Sequence, residues 1–195
     1  MLALYDKNYY VKSKISNYTD YRKKKFDGLA TDLFSFVAGK RVLDYGAATG
    51  GLVKALFDKG IDIVGTDIST WAVDYGKSEY KLGDRLQYYS PDLLFGRYDL
   101  VLFLDVLEHI DTKELIKIVS KIRANEVIVR IPVSKNEGEL FVLSVSNNDK
   151  THIQIHCRRW WIDLFKGYGF DNFERIEKDN IYDSAGVLCL YMRRS

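Results

Sequence analysis

Cysteine, proline and methionine each occur only twice in the 195 residues, and no long apolar run is present. Cys157 and Cys189 stand far apart and outside any Cys-x-x-Cys unit, so nothing points to zinc or dithiol redox chemistry; two buried thiols are the expectation. The longest apolar runs, around Leu100 to Leu104, stop well short of the roughly 20 residues that cross a bilayer, so no transmembrane helix is available. The start, Met-Leu-Ala-Leu-Tyr-Asp-Lys, lacks the basic, apolar and small-residue order of a secretory signal, and the cytoplasm is the expected compartment. A large charge of one sign is also missing. The net charge of +2 gives no basic stripe for nucleic acid, and the one strong run, Arg22-Lys23-Lys24-Lys25, reads as a solvated helix face. Length, with no repeat or low-complexity linker, fits one domain over 1–195, a helical stretch 1–40 preceding a core 41–195.

What is present is alternation. From Arg41 onward, short runs of Val, Ile and Leu alternate with helical patterns, the sequence form of a mostly parallel sheet covered by helices. Strands are expected over 41–45, 61–66, weakly over 86–89, and over 98–104, the last so apolar that it must be buried on both faces. Helices are expected over 50–59, stopped by Gly60, and over 70–80. Asp111 and Glu114 form a capping box for a helix through Ile122. A fifth strand over 126–131 should end at Pro132, followed by a loop of polar and small residues toward Lys150. Trp160 to Phe165 belong to a last helix, and strands over 173–176 and 187–192 close the fold around a turn at 180–184. Ahead of Arg41, residues 16–37 read as helical.

At the end of the first strand stands Val42-Leu43-Asp44-Tyr45-Gly46-Ala47-Ala48-Thr49-Gly50-Gly51, a small-residue turn opening a helix that lets a ligand approach backbone amides. Asp67 lies 67 − 46 = 21 residues beyond Gly46, close to the spacing of about 20 at which a carboxylate holds a ribose diol. A dinucleotide fingerprint wants glycine where Ala48 stands, and Asp44 opposes a diphosphate. A carboxylate there suits a ligand with an ammonium and no phosphate, and S-adenosylmethionine is such a ligand.

These residues, with Val64-Gly65-Thr66-Asp67-Ile68-Ser69 and Tyr98-Asp99-Leu100-Val101 through Asp105-Val106-Leu107-Glu108-His109-Ile110, resemble the class I S-adenosylmethionine-dependent methyltransferases, from about Arg41 to Ser195. The resemblance implies an α/β, Rossmann-like, doubly wound sheet of seven mostly parallel strands with a C-terminal antiparallel hairpin strand and an N-terminal helical cap. It implies S-adenosylmethionine as cofactor. Asp44 and Gly46 would meet its methionine part, with Ala47 and Gly50 in the same loop; Asp67 the ribose, Ile68 an adenine face, and Asp92 with Leu93 the adenine amino group. Asp105, at the end of a buried strand, is a further candidate for the methionine end. The family usually has glycine where Ala48 stands.

The sulfonium activates its own methyl, so few catalytic residues are obligatory; an oxygen acceptor is helped by a base. His109, His152 and His156 are the candidates. His152, in Asp149-Lys150-Thr151-His152, resembles a histidine that faces the acceptor in many small-molecule methyltransferases and is favoured, with His109 second. His156 would share a face with His152 in an extended stretch. A metal set of Glu108, His109 and His152 is conceivable, but none is expected. Tyr5, Tyr9, Tyr10, Tyr18 and Tyr21 form either a lid or an ordinary packing helix. The expected reaction is methylation of a small molecule, at oxygen; RNA or protein acceptors, and a non-catalytic nucleotide-binding module, are the rivals. Asp105-Val106-Leu107-Glu108 stands where methyltransferases of planar amino nitrogens carry an Asn/Asp-Pro-Pro-aromatic tetrapeptide, which disfavours those acceptors.

Overall fold

The computed structural model describes residues 5–11 and 23–195, which divide into two compact units, one reaching to Ser90 and the other running from Pro91 to Ser195. In the first unit α1 (Lys7–Val11) and α2 (Lys23–Val37) precede β1 (Arg41–Tyr45), α3 (Gly51–Asp58), β2 (Asp62–Asp67), α4 (Thr70–Glu79) and β3 (Leu86–Tyr88). Only the part of the expected 16–37 helix from Lys23 on is described; 16–22, with Tyr18 and Tyr21, lies outside the described residues. β1 pairs in parallel with β2, Asp44 opposite Gly65, and β2 in parallel with β3. Parallel pairing puts the carboxyl ends of β1 and β2 side by side, which brings Asp44 and Asp67 to one end of the pair. Ser69 caps α4 by accepting the Ala72 amide at 3.2 Å.

The second unit holds β4 (Leu100–Leu104), α5 (Thr112–Lys121), β5 (Glu126–Pro132), α6 (Ser144–Asn148), α7 (Arg158–Lys166), β6 (Asn172–Arg175) and β7 (Val187–Arg193). β4 and β5 are parallel, with Leu104 opposite Arg130; β7 runs antiparallel to both β5 and β6. All seven strands belong to one sheet of order β3-β2-β1-β4-β5-β7-β6. Leu100 to Phe103 are buried, as their unbroken apolar run demands. Asp111 accepts the amides of Lys113 and Glu114 and caps α5. β6, whose Asn172-Phe173-Glu174-Arg175 is exposed throughout, ends the sheet with charged side chains that discourage further pairing.

Three expectations are corrected. The stretch after Pro132 is not one loop: it carries α6, anchored by Asn147, whose side chain accepts the Phe141 amide (3.0 Å) and donates to the Phe141 carbonyl (2.9 Å). A five-residue helix held by one side chain shows no periodicity to read. Residues 152–156 form no strand, so His152 and His156 share no face. His156 stacks on Trp160, its ring nitrogens engaging Glu137 and Gln154. Of the two thiols only Cys189 is buried, which pushes its pKa up to about 12; Cys157 is half-buried.

Candidate active site

In the first unit the turn after β1 alternates left-handed residues: Gly46 (φ 83), Ala48 (φ 50) and Gly50 (φ 76). Ala48 takes a conformation glycine adopts without strain, which explains why a glycine is the commoner residue there. The turn's amides point inward. Those of Gly46 and Ala47 both donate to the Thr66 carbonyl at 2.9 Å, Ala48 donates to Asp67 Oδ2 at 2.8 Å, and Gly50 to the Ala47 carbonyl at 2.8 Å. These four amides are therefore engaged within the turn and the adjoining strand end. A phosphate site needs free amides at such a turn, and with four engaged the side chains gain weight in recognition.

Those side chains are acidic. Asp44 is buried, and burial followed by the charge of Asp67 raises its pKa to about 7. Such a carboxylate ionises most readily beside a cation. Asp67 Oδ1 accepts the Ser69 amide at 2.8 Å and, at a long 3.4 Å, the Tyr10 hydroxyl; burial outweighs these bonds and raises its pKa. Thr49 and Thr66 keep buried hydroxyls with no hydrogen-bond partner. Tyr10, itself buried, packs on Ala48 and Ala72 and stacks on Trp71 with centroids 5.7 Å apart, while Ser69 Oγ donates to the Tyr5 carbonyl at 2.6 Å. The tyrosine-rich segment thus covers the turn.

In the second unit a polar cluster joins the turn after β4 to the segment after α6. The Ile153 and Gln154 amides clamp the two by donating to the Glu108 carbonyl at 2.9 and 3.0 Å. Glu108 is 1% exposed, and burial, then Asp105, raises its carboxyl well above the usual range. Its Oε2 has no hydrogen-bond partner. His109 and His152 pack edge to face with centroids 4.6 Å apart, and Phe141 flanks His152 at 5.4 Å.

The hydrogen bonds fix both imidazole tautomers. His152 Nδ1 lies 2.8 Å from the Ser146 carbonyl, which can only accept, so Nδ1 carries the proton. Thr151 donates its one hydroxyl proton to Asp149 Oδ1 at 2.6 Å, so at 2.9 Å it must accept from His109 Nδ1. Asp149 is held below the usual range because its hydrogen bonds from Thr151 outweigh burial. Burial, reinforced by His152, lowers the His109 pKa to about 4, so His109 is a neutral donor at Nδ1 with a lone pair at Nε2; His152 likewise donates from Nδ1.

Comparison with known proteins identifies the family. A methyltransferase domain family matches residues 18–175. The chain belongs to that family. A comparison with curated proteins returns no match. Among solved structures it is similar to the N-terminal domain of EvdMO1 crystallised with S-adenosylhomocysteine and D-fucose (TM-score 0.67, 16% identity, 88% of this chain and 84% of that one). It is also similar to a SAM-dependent methyltransferase from Archaeoglobus fulgidus (TM-score 0.65, 15%, 91% and 100%). A third is magnesium protoporphyrin IX methyltransferase from Synechocystis with bound S-adenosylhomocysteine (TM-score 0.62, 20%, 90% and 84%). The protein is thus a class I methyltransferase whose cofactor is S-adenosylmethionine.

The first unit of this methyltransferase fits that cofactor: a buried acid suits an ammonium, two unpartnered hydroxyls suit a polar ligand, and four amides of the turn are already engaged. Ala47 lines the turn and Gly50 opens α3. Ile68 is 37% exposed at the tip of β2, a surface contact and not core. In the second unit Asp92 and Leu93 occupy a 3-10 turn over Pro91–Phe95. Asp105, expected among apolar neighbours, is instead exposed with φ 54 and ion-paired to Arg130. The motif around Asp105 gave no hint of Arg130; only the parallel register supplies it, placing Arg130 opposite Leu104. Thr151 and Asp149 also went unassigned, although Asp-x-Thr before a histidine is the pattern of a side chain turning back on its own loop.

Asp67 proves structural as well as a ribose candidate. Asp67→Ala is expected to weaken S-adenosylhomocysteine binding by about 1.5–3 kcal/mol and also to lower stability by about 1–3 kcal/mol, because the Ala48 and Ser69 amides lose their acceptor. Calorimetry and urea titration check the two; unchanged affinity would leave Asp67 only a brace.

Proposed function

We propose that this methyltransferase methylates an oxygen of a small molecule, its first unit holding the donor through Asp44 and Asp67 and its second unit supplying His152 as the acceptor's base. The supporting observation is the His152 tautomer: the Ser146 carbonyl holds the proton at Nδ1 and leaves Nε2 to accept one. When bound, S-adenosylmethionine supplies the activated methyl. The protein's own residues bind, orient and exclude water, and His152 Nε2 takes the proton of the acceptor hydroxyl. Asp149, with Oδ2 3.7 Å from Nε2, stabilises the imidazolium that forms. The modest net charge favours a small acceptor over RNA, whose binding would fall steeply with salt.

Thermal and calorimetric titration test the donor half. S-adenosylmethionine and S-adenosylhomocysteine should raise the melting temperature by mass action while NAD does not. The Asp44 carboxyl, raised to about 7, has a folded pKa above its ordinary 3.8. The stability it contributes to the free protein is full below about 3.8 and lost as pH rises through 7, since folding keeps a proton the unfolded chain releases. A ligand ammonium needs the ionised form, so affinity should fall below pH 7 by up to about tenfold per unit, with one proton released on binding, and Asp44→Asn should flatten the profile. Stabilisation by NAD alone would end this reading.

A further inference from the structure

We propose that Glu108, His109 and His152 form a three-ligand site for a borderline first-row divalent cation, of the Mn²⁺ or Zn²⁺ class, on the acceptor side of the enzyme. One ligand atom from each lies within 4.8 Å of the others. Ligands each about 2.1 Å from one tetrahedral ion stand about 3.4 Å apart, so the three atoms would draw in by up to about 1.4 Å, within reach of side-chain rotation, to close on an ion. The tautomers carry the argument. With Nδ1 of both rings donating, Nε2 is the nitrogen each has left to ligate with, and both face carboxylates: His109 Nε2 is 4.0 Å from Glu108 Oε1, and His152 Nε2 is 3.7 Å from Asp149 Oδ2. Ring nitrogens facing carboxylates at these distances are held together by a proton or a cation among them. Glu108 Oε2, buried and without a hydrogen-bond partner, is a second and independent sign that a positive partner belongs there, because a buried acid left unsatisfied is costly.

The surroundings are those of a metal site. Ligating histidines usually donate their other ring nitrogen to a carbonyl or an acid-linked group, which fixes the ring and raises its basicity. The Ser146 carbonyl does this for His152, and Thr151, itself held by Asp149, does it for His109. Two imidazoles with one carboxylate favour Mn²⁺, Fe²⁺ or Zn²⁺ over Mg²⁺ or Ca²⁺, which want oxygen. Three protein ligands are the count of sites that keep a position open, and the imidazole side chains retain 13% and 11% exposure, so an added oxygen has access. An ion there would bind an acceptor oxygen and favour loss of its proton to solvent, with His152 Nε2 then a ligand, an alternative to its role as base above. Only this last step rests on the proposed acceptor chemistry; binding of the ion stands apart from it.

The test uses the full-length protein freed of metal by a chelator and titrated with Mn²⁺, Zn²⁺ and Mg²⁺, read by calorimetry, melting temperature and the electron paramagnetic resonance of bound Mn²⁺. One Mn²⁺ or Zn²⁺ per chain is expected, with Mg²⁺ at least tenfold weaker. Glu108→Gln and His152→Ala should abolish the site, and Thr151→Val, which frees the His109 tautomer, should weaken it 10–100-fold. His156→Ala should leave it intact. S-adenosylhomocysteine affinity, measured on every variant, reports that the fold survives. Absence of Mn²⁺ and Zn²⁺ binding, or equal binding by Glu108→Gln, overturns the proposal. Such a result alongside normal S-adenosylhomocysteine binding and an inactive His152→Ala enzyme would leave the base mechanism standing; loss of S-adenosylhomocysteine binding by the wild type would instead strike the donor reading.

Discussion

Replacing His152 by alanine is expected to slow methyl transfer to a hydroxyl acceptor by roughly 10²–10⁴-fold while S-adenosylhomocysteine binds as before. The size follows from the position of the proton. Ser146 O fixes Nδ1 as donor, so Nε2 is the ring nitrogen left to take the acceptor's proton. Phe141 and His109 hold the ring in place, which spares the reaction the entropy of finding the geometry. Single-turnover rates with labelled S-adenosylmethionine, on the fastest acceptor from a panel of sugars and phenols, give the comparison. Glu108→Gln divides the two roles open to His152. If Nε2 only accepts a proton, Glu108→Gln should cost far less rate than His152→Ala; if Nε2 ligates an ion, the two losses should match. A normal rate in His152→Ala would remove it from the mechanism and leave alignment as the source of catalysis.

The proposed donor half was readable from sequence as a juxtaposition because its determinants are local. Asp44 and the turn after it are contiguous, and Asp67 follows at the end of the next strand, so strand–helix–strand spacing alone brings the two acids to adjacent strand ends. The direction of the amides was not readable. Whether Gly46, Ala47 and Ala48 offer their N–H groups outward depends on φ, and three left-handed residues in alternation turn them onto Thr66 O and Asp67. That fact turns the choice of ligand away from phosphate more firmly than the missing glycine at 48 does.

The proposed acceptor half was legible only as a set of names. Glu108 and His109 sit in one motif and His152 in another, 43 residues further on, and their convergence depends on the Ile153 and Gln154 amides meeting the Glu108 carbonyl. Backbone bonds between two irregular segments leave no periodic trace. His156 shows the limit of pattern reasoning. Even spacing from His152 suggested a shared face, but the segment is not a strand, and Trp160 captures the ring by stacking at 3.6 Å. Asp105 shows the complementary limit, since a charge at a strand end is satisfied by whatever the neighbouring strand presents, here Arg130.

The fold's own stability should depend most on an acid that no motif marks. Asp183 lies between β6 and β7 with its side chain 1% exposed, accepting from Arg158 Nη1 at 2.6 Å, Arg175 Nε at 2.6 Å and the Cys189 amide at 2.7 Å. Three donors from a helix and two strands therefore converge on one carboxylate. Asp183→Ala is expected to cost about 3–5 kcal/mol, the range for breaking a buried ion pair from one side. The lower end is favoured because Arg158 and Arg175 are 34% and 59% exposed and regain water. The Cys189 amide cannot, being buried in β7. Asp183→Asn keeps an acceptor for that amide and gives up only the charge, so its loss should be about half as large. Urea titration of the two variants, with S-adenosylhomocysteine affinity as a control on the donor half, separates the contributions. Equal losses would mean that the charge carries all the stabilisation, and an Asp183→Ala protein within about 1 kcal/mol of wild type would show that the arginines and the amide find other partners.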